Sequence, residues 1–179
     1  QTKPKDATAK MQSHENSAPC LIAFGSNLPF PGYADRQAVI RAGLQRLSNR
    51  LGAKIRVSAL YQSEPVPPSD QPLYVNGVAL AQVAHDPGEL MSLLLEIERE
   101  FGRERSVANA ARTLDLDLIA CGASQLDSEH LTLPHPRMHL RGFVLKPLCD
   151  VAAHWRHPAL GQSAEAMVMQ VDISDLRQI

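Results

Sequence analysis

The chain contains few aromatic residues, few cysteines and no marked excess of either charge. Aromatic residues make up 4% of its 179 residues, and the formal net charge is -1. The three cysteines, Cys20, Cys121 and Cys149, are widely spaced and form no CxxC pair. This spacing indicates neither a disulfide framework nor a zinc site. We therefore expect the protein to reside in the reducing cytoplasm. The low net charge argues against nucleic-acid partners, and any phosphate must therefore be bound by a local cluster.

Two further patterns are absent from the sequence. No apolar run approaches the roughly 20 residues that a membrane-spanning helix needs, and no signal-peptide pattern opens the chain. We therefore expect a soluble intracellular protein with no membrane partner. The glycine-rich P-loop and the protein-kinase motif set are also missing. If the protein binds ATP, it must hold the triphosphate in another way.

The apolar pattern predicts one domain of alternating strands and helices. Residues 1–19 are polar and without periodicity, which predicts a disordered tail, and residues 20–179 are predicted to form a single domain. The order of elements predicts an α+β fold with two helices on one face of a mainly antiparallel sheet. The predicted elements are strand 20–24, helix 33–51, strand 55–61, loop 62–72, strand 73–83, helix 86–101, strand 112–119, a short connection at 121–127 and a helix from 141.

The most informative stretch is RTLDLDLI at residues 112–119. Its three leucines alternate with Asp115 and Asp117, which is the period of a β-strand with one buried face. The two carboxylates then project from the same surface, where one or two divalent cations would fit. Strands are depleted in Asp, and like charges at this spacing repel each other, so we expect a cation to offset them. The alternative is an ordinary amphipathic strand whose exposed face is acidic.

Other polar groups leave more than one interpretation open. Tyr74 and Asn76 share one face of a predicted strand and could bind the edge of a flat heterocycle, or they could simply face solvent, which the pattern alone favours. The turn at residues 25–27 could approach a ligand closely or only end its strand, and the pattern alone favours the second interpretation. Residues 102–112 are rich in small and basic residues, which suits an anion held beside the diacid. Charges at the end of the preceding helix are most often a solvated face.

Five stretches of the sequence together resemble one enzyme family. Besides RTLDLDLI, they are IAFGSNL at 22–28, DQPLYVNGV at 70–78, LTLPHPRM at 131–138 and RGFVLKPL at 141–148. In this order they resemble the 6-hydroxymethyl-7,8-dihydropterin pyrophosphokinases of folate synthesis. The resemblance extends from about Cys20 to past Pro158, which is nearly the whole chain. Several co-linear motifs are far more specific than any one of them.

The resemblance implies a fold and a reaction. The family has a ferredoxin-like core with extra C-terminal elements. It transfers the terminal pyrophosphoryl unit of ATP to the hydroxymethyl group of a reduced pterin and releases AMP. The implied substrates are ATP and 6-hydroxymethyl-7,8-dihydropterin, and Asp115 and Asp117 would hold two Mg²⁺ ions that bridge the triphosphate. Neither nucleic acid nor a membrane takes part, and we expect a monomer.

The resemblance also assigns the remaining site residues. Arg103 and Arg112 are implied to act in catalysis with the diacid by clamping phosphate. The positions implied to bind ATP are Glu98, Arg105, Arg112, Thr132, His135 and Arg141. The positions implied to form the pterin pocket are Ser63, Val66, Tyr74, Asn76 and Phe143.

The chain departs from the family pattern just before the diacid. The family commonly has Trp, Gly and Pro before the arginine of RTLDLD, whereas this chain has Asn109, Ala110 and Ala111. The aromatic lid over the pterin is therefore missing. Because aromatic stacking contributes roughly 0.5 to 1.5 kcal/mol beyond burial, we expect weaker pterin retention with activity preserved.

The sequence also leaves dynamics and two alternative classes open. We expect the loops at 62–72 and 102–111 to close when both substrates bind. One alternative is a non-catalytic module that binds a nucleotide and forms no AMP. The other is a different magnesium-dependent phosphotransferase, which would release ADP.

Overall fold

A computed structural model describes residues 17–103 and 111–179 of the chain. Residues 1–16 of the predicted tail, and Arg105 with most of the predicted 102–111 loop, lie outside the described residues. Within the described ranges, none of the helices has the length and apolar character needed to span a membrane. The architecture is a mixture of helices and antiparallel sheet, as the sequence pattern predicts.

The described residues contain the following elements. The strands are β1 (Ala18–Ser26), β2 (Ile55–Val57), β3 (Tyr61–Ser63), β4 (Tyr74–Val83), β5 (Asp115–Cys121), β6 (Leu126–Asp127), β7 (Thr132–Leu133) and β8 (Arg177–Gln178). The helices are α1 (Arg36–Leu51), α2 (Pro87–Glu100), α3 (Gly142–Ala152) and α4 (Ala164–Val168), with a single 3-10 turn (Met138–Leu140) before α3.

The main sheet is antiparallel and places β1 and β4 at its centre. Its strand order is β5-β1-β4-β3-β8, and β2 pairs with a separate part of β4. β1 pairs with β4 along its whole length. On its other side β1 pairs with β5, where Asp115 lies opposite Gly25 and Asp117 lies opposite Ala23. The predicted diacidic strand is therefore next to the strand that ends in the GSN turn.

The apolar run of β1 is buried on both of its faces. Ile22 and Phe24 belong to a core cluster that includes residues of α1 and α2. Leu21 belongs to a second cluster that includes residues of α3 and α4. Because neighbouring residues of a strand point to opposite faces, α1 and α2 pack on one face and the C-terminal helices pack on the other. The sequence predicted only the first of these two layers.

The ends of two helices form as the sequence predicts. The Asp86 side chain accepts hydrogen bonds from the backbone N–H groups of Gly88 and Glu89, and the Glu89 side chain accepts one from the Asp86 N–H. This capping box begins α2, with Pro87 in its first turn. Gly52 ends α1 with a φ of 60°, a left-handed conformation that glycine adopts without a Cβ clash.

Several predicted boundaries are wrong for local reasons. β1 begins at Ala18, inside the predicted tail. α1 begins at Arg36 and not at residue 33, because the Asp35 side chain caps it by accepting the Ala38 N–H at 2.7 Å. The predicted strand 55–61 is divided into β2 and β3, and between them the Ser58 hydroxyl accepts the Val78 N–H at 2.9 Å.

Other differences lie around β5. The strand begins at Asp115 and not at Arg112, because the backbone of Arg112 hydrogen-bonds with the turn after β1. The predicted connection at 121–127 ends in β6, which pairs with β7 as a short hairpin. Strands of two residues leave no periodic pattern, so sequence periodicity could not predict them.

A disulfide links β1 to β5, which contradicts the expectation from cysteine spacing. Cys20 and Cys121 lie opposite each other on the two strands and are joined through their sulfur atoms. Both side chains are buried, and the two residues are 101 positions apart in sequence. Spacing arguments detect local cysteine patterns, so a pair brought together only by strand pairing escapes them. Cys149 is free.

Candidate active site

The candidate site is a cavity of about 510 Å³ lined by β1, β4, β5, the loop after β3 and the start of α3. It gathers residues that the sequence places far apart. The predicted site residues that line it are Ser63, Val66, Tyr74, Asn76, Arg103, Arg112, Asp115, Asp117, His135, Arg141 and Phe143. Of the other three predicted residues, Glu98 and Thr132 lie elsewhere in the described structure, and Arg105 lies outside the described residues.

The two aspartates of β5 share the cavity face of the strand. Leu114, Leu116 and Leu118 point into the core on the opposite face and are almost fully buried, as the alternation predicts. Burial and the neighbouring Asp115 carboxylate raise the pKa of Asp117 to about 6. A carboxyl whose pKa is raised by burial and by a neighbouring carboxylate, inside a cavity, is a common property of functional sites.

Two arginines neutralise Asp115 from opposite sides. Arg112 donates from Nη1 to Asp115 Oδ2 at 2.5 Å, and Arg103 donates from Nη1 to Asp115 Oδ1. Both carboxylate oxygens of Asp115 are therefore occupied by guanidinium groups. Asp117, by contrast, has no ion pair among the described residues. A phosphate group entering the cavity would therefore compete with Asp115 for these two cations.

Glu98 is a supporting residue behind the cavity wall and not a lining residue. Its side chain is 1% exposed, and Oε1 accepts the Leu116 N–H at 2.7 Å and a hydrogen bond from Arg103 Nη1. Glu98 thus connects α2 to the backbone of β5 and holds the guanidinium that contacts Asp115. The sequence predicted it as a residue that binds ATP directly, and its burial does not support a direct contact.

His135 is held as a neutral ring at the cavity wall. Burial and the cations Arg141 and Arg137 lower its pKa to about 4. Its Nδ1 accepts the backbone N–H of Arg137 at 3.2 Å, so the neutral ring carries its proton on Nε2. Burial and Arg137 also lower the pKa of Arg141. His135 therefore offers a hydrogen-bond donor that does not depend on protonation near pH 7.

Aromatic and amide groups also line the cavity. Tyr74 and Phe143 line it, and the Arg141 Cζ lies 5.6 Å from the Phe143 ring centroid. Asn76 is 7% exposed and donates from Nδ2 to Ser63 Oγ at 2.7 Å. This bond fixes the orientation of the amide and directs its other polar atom, Oδ1, away from Ser63.

Gly25 leaves room for the Asn76 amide. A Cβ added at Gly25 would lie 2.8 Å from Asn76 Oδ1, which is closer than van der Waals contact allows. A side chain at this position would therefore displace the amide from the cavity wall. Whether the GSN turn approaches a ligand closely stays a prediction.

Thr132 lies in β7 and lines a separate, more open cavity of about 370 Å³ together with His139 and His157. This second cavity adjoins the segment that carries His135, because Pro134 and Pro136 also line it. The segment of Pro134, His135 and Pro136 thus lies between Thr132 and the cavity of the two aspartates.

Sequence reasoning missed several residues of the main cavity. Arg137 lines it as a fourth arginine, after Arg103, Arg112 and Arg141, and Glu64 and Gln71 line it from the loop after β3. Arg137 stands within the LTLPHPRM stretch, so the resemblance offered a signal for it. Loop residues such as Gln71 follow no period, and only the folded loop brings them to the site.

Comparison with known proteins decides the family. The model of the 7,8-dihydro-6-hydroxymethylpterin-pyrophosphokinase (HPPK) family matches residues 21–153. The chain belongs to the HPPK family. A 2-amino-4-hydroxy-6-hydroxymethyldihydropteridine pyrophosphokinase of Synechocystis sp. is 44% identical over 117 residues, which cover 65% of this chain and 60% of the relative. The enzyme of the same name from Pseudomonas aeruginosa is 42% identical over 137 residues, or 76% of this chain and 82% of the relative.

Longer relatives contain the same unit. The mitochondrial folate synthesis bifunctional protein of Arabidopsis thaliana is 36% identical over 163 residues, which cover 86% of this chain and 28% of that protein. A crystal structure of an HPPK-DHPS in complex with substrates matches with a TM-score of 0.67 at 10% identity, over 87% of this chain and 43% of that chain. Wild-type Plasmodium falciparum HPPK-DHPS gives a TM-score of 0.62 at 11% identity, over 86% of this chain and 44% of that chain. At this identity the structural matches establish the fold alone.

Proposed function

We propose that the protein transfers pyrophosphate from ATP to the hydroxymethyl group of 6-hydroxymethyl-7,8-dihydropterin and releases AMP, as a step of folate synthesis. The single observation that carries the proposal is one cavity that joins a diacid and arginines to a pocket of two aromatic rings and a fixed amide. Such a cavity suits a polyphosphate at one end and a flat polar heterocycle at the other. Membership of the HPPK family supports the same assignment.

We further propose a ferredoxin-like core for the sheet and the helices α1 and α2. The element order β1, α1, β2 with β3, β4, α2, β5 and the placement of β1 and β4 at the sheet centre support it. We also propose that the active unit is a monomer. A cytoplasmic location without nucleic-acid or membrane partners remains part of the proposal.

The reaction is a displacement at phosphorus. The hydroxymethyl oxygen of the pterin attacks the β-phosphorus of ATP, the bond from that phosphorus to the oxygen shared with the α-phosphate breaks, and AMP leaves. The hydroxyl proton is lost as the new P–O bond forms. Arg103 and Arg112 lie on both sides of Asp115, where they can turn from the carboxylate to phosphate oxygens and hold the chain of phosphates in line.

The residues of β5 fit a magnesium site. Asp115 and Asp117 offer hard oxygen ligands on one surface of the cavity. This is the donor set expected for Mg²⁺, which typically combines one or two carboxylates with substrate phosphates and water. Two Mg²⁺ ions, when bound there, would supply charge neutralisation on the triphosphate.

The remaining predicted residues have roles that follow from their surroundings. His135 would donate from Nε2 to a phosphate or ribose oxygen, and Arg137 and Arg141 would add positive charge beside it. Thr132 in the adjoining cavity, and Arg105, remain proposed nucleotide contacts. Tyr74 and Phe143 would bind the pterin faces while Asn76, Ser63 and Val66 bind its edge.

The experiment that tests this proposal measures nucleotide products. The protein is incubated with ATP, Mg²⁺ and the pterin, and the nucleotides are separated by chromatography. AMP that appears in step with pterin pyrophosphate is expected. ADP would instead indicate an ordinary kinase, and binding of both ligands without any nucleotide product would indicate a non-catalytic module.

A matched pair of variants ties the activity to β5. Asp117→Ala is expected to abolish AMP formation while the fold remains, because the leucine face of the strand is unchanged. Glu129→Ala, which removes an exposed carboxylate between β6 and β7, should leave the rate unchanged. Near wild-type turnover of Asp117→Ala at saturating Mg²⁺ would show that the metal assignment is wrong.

A further inference from the structure

The turn that ends α2 carries one of the cavity arginines, and the proposed reaction does not explain how this turn is built. Gly102 has a φ of 77°, in the left-handed region, and Arg103 follows it directly. Arg103 lines the cavity, and its side chain is only 11% exposed. Because a left-handed glycine reverses the direction of the chain at a helix end, it decides where the next side chain points.

The backbone hydrogen bonds of this turn form a Schellman motif. The Arg103 N–H donates to the Glu98 carbonyl at 3.0 Å. The Gly102 N–H donates to the Arg99 carbonyl, also at 3.0 Å. These two bonds define the motif, and glycine occupies its left-handed position. The motif therefore brings Arg103 back beside Glu98, which lies five positions earlier in α2.

The side chains at these two positions are charged, although an apolar contact between them frequently accompanies a Schellman motif. Arg103 Nη1 donates to Glu98 Oε1, and the same nitrogen donates to Asp115 Oδ1. The backbone of the turn thus presents the guanidinium to the helix carboxylate and to the diacid at once. In the proposed reaction this guanidinium belongs to the nucleotide half of the cavity.

The ring of Phe30 covers the glycine of the turn. A Cβ added at Gly102 would lie 2.6 Å from Phe30 Cε2 and 3.2 Å from Phe30 Cδ2, so the ring lies directly against the glycine backbone. The Phe30 ring centroid is 5.9 Å from that of Tyr33 and 6.0 Å from that of Phe101, which caps α2. Aromatic residues make up only 4% of the chain, and three of them cluster at this one turn.

The turn is also attached to the segment that leads into β5. The Thr113 hydroxyl donates to the Phe101 carbonyl at 2.5 Å, and Thr113 directly follows Arg112. Carbonyl groups at the end of a helix have no partner within the helix, so this bond uses a group that is otherwise unsatisfied. The backbones of both arginines that bind Asp115 are therefore connected to the same turn.

We propose that Phe30 and Gly102 are positioning residues that hold Arg103 in place for phosphoryl transfer. The glycine permits the left-handed turn, and the ring occupies the space that a side chain at position 102 would need. A guanidinium held in this way keeps its direction while a phosphate competes with Asp115 for it, and a fixed direction is what stabilises charge in a transition state. This inference rests on the proposed function, because it takes the phosphate from that proposal.

The first test is a double-mutant cycle on kcat. Phe30→Ala removes the ring, and we expect kcat to fall about tenfold while the KM for ATP stays within about threefold. Arg103→Ala lowers kcat by itself. Adding Phe30→Ala to Arg103→Ala should change kcat by less than about twofold, because no guanidinium is left to position. Phe30→Leu, which keeps an apolar side chain over the glycine, should retain kcat within about threefold of the unmodified protein.

Substitution of the glycine provides a second approach to the same turn. Gly102→Ala meets both an unfavourable φ and the Phe30 ring, so kcat should fall at least about tenfold. Gly52→Ala is the matched control, because Gly52 ends α1 with a φ of 60° and a Cβ there would meet nothing within 4 Å. The control should lower the melting temperature and leave kcat unchanged.

Nitrogen-15 NMR of the ligand-free protein follows the guanidinium without any reaction. Charge-assisted hydrogen bonds to Glu98 and Asp115 restrict rotation of the Arg103 guanidinium, so its Nη protons should give resolved signals. Arg103→Lys identifies these signals by their loss. They should be lost in Phe30→Ala and Gly102→Ala and should persist in Gly52→Ala. If Phe30→Ala does not fold, Gly102→Ala decides, because Gly102 is exposed.

The outcomes distinguish this inference from the proposed function. If Phe30→Ala lowers kcat equally with and without Arg103, or if the guanidinium signals persist in both turn variants, the turn is only structural and the inference is wrong. If the unmodified protein forms no AMP, the proposed function fails, and the NMR measurement alone then decides whether the turn holds Arg103.

Discussion

At the residue scale, Asp115 and Asp117 lie two positions apart on one strand but have opposite electrostatic surroundings. Asp115 is bound by two guanidinium groups. Asp117 is held by no ion pair among the described residues, and burial and Asp115 raise its pKa to about 6. β5 therefore carries one carboxylate that arginines neutralise, Asp115, and one whose ionisation is unfavourable, Asp117. This difference predicts opposite effects of the same substitution at the two positions.

We predict that Asp117→Asn stabilises the metal-free protein at pH 8. In the folded state the pKa is about 6, above the unfolded value of about 3.9, so unfolding loses a bound proton between these values. Stability from this group is therefore fully present below about pH 4 and is lost as the pH rises through 6. The amide removes the loss and should add about 2 kcal/mol at pH 8, measured by chemical unfolding in EDTA.

The contrast with Asp115 checks the explanation. The advantage of Asp117→Asn should vanish at pH 4, where the wild-type carboxyl is protonated as well. Asp115→Asn should instead lower the free energy of unfolding at pH 8, because it leaves Arg103 and Arg112 without their shared carboxylate. Equal effects of both substitutions at both pH values would contradict the assignment of a raised pKa to Asp117.

Glu98 does not line the cavity, but we expect its substitution to reduce activity, because Glu98 holds Arg103. Glu98→Gln keeps an oxygen for the Leu116 N–H but loses the charge that holds Arg103. We expect kcat to fall about 10–100-fold with a KM for ATP within about threefold, since charged hydrogen bonds contribute roughly 1.5–3 kcal/mol. The exposed Glu96, which pairs with Arg50, provides the matched control, and Glu96→Gln should leave kcat unchanged. A rise in KM for ATP alone would instead indicate the direct contact that the sequence predicted.

At the element scale, the sequence predicted those elements whose signals are local. The capping box of Asp86 and Glu89 and the apolar stripe of α2 lie within one stretch, and so does the alternation of Leu and Asp in β5. The division of β2 from β3 depends on Ser58 bonding to Val78, which is a contact between strands. Contacts of this kind leave no pattern in either segment. The pairing of Cys20 with Cys121 could not be predicted for the same reason, because it is also a contact between strands.

The disulfide between β1 and β5 gives a prediction at this scale. Cross-linking residues that are 101 positions apart restricts the unfolded chain, and loops of about 100 residues correspond to an estimated upper value near 4.7 kcal/mol. We expect reduction by dithiothreitol to lower the free energy of unfolding by about 2–4 kcal/mol. Differential scanning calorimetry with and without reductant measures this change.

Thiol counting in denaturant provides the control for that measurement. The oxidised protein should present one free thiol, that of Cys149, and Cys149→Ser should present none while keeping its sensitivity to reductant. Cys121→Ala should melt at the temperature of the reduced protein under both conditions. Three free thiols in protein purified without reductant would restore the expectation from the cysteine spacing.

At the scale of the whole molecule, the site depends on segments that meet only after folding. The five motif stretches contain many of the lining residues, because the resemblance could match each stretch position by position. The sequence could not show that Glu98 lies behind the wall, that Thr132 faces a second cavity, or that Asn27 contacts both Arg112 and Gln71. Those facts depend on side-chain direction and burial, which no linear pattern specifies.

At this scale the C-terminal segment supports the cavity wall from outside, although it follows the matched family region. β8 pairs with β3, the Ile179 N–H donates to the Leu60 carbonyl at 3.0 Å, and Asp175 Oδ2 accepts the Glu64 N–H at 3.3 Å. Ser63 and Glu64, which line the cavity, are thus held from outside by the last residues of the chain. Loosening this contact should disturb the pterin half more than the nucleotide half.

We predict that deleting residues 172–179 raises the KM for the pterin about tenfold and changes the KM for ATP by less than about twofold, because misplaced positioning groups typically cost one to two orders of magnitude. Steady-state kinetics with each substrate varied in turn measures both constants. Asp175→Ala, which removes one of the contacts, should shift the pterin KM in the same direction by a smaller factor. Deletion of residues 1–16, which the sequence predicts to be dispensable, is the control for truncation itself. Equal rises in both KM values would mean that the segment stabilises the whole sheet and has no specific effect on the pterin pocket.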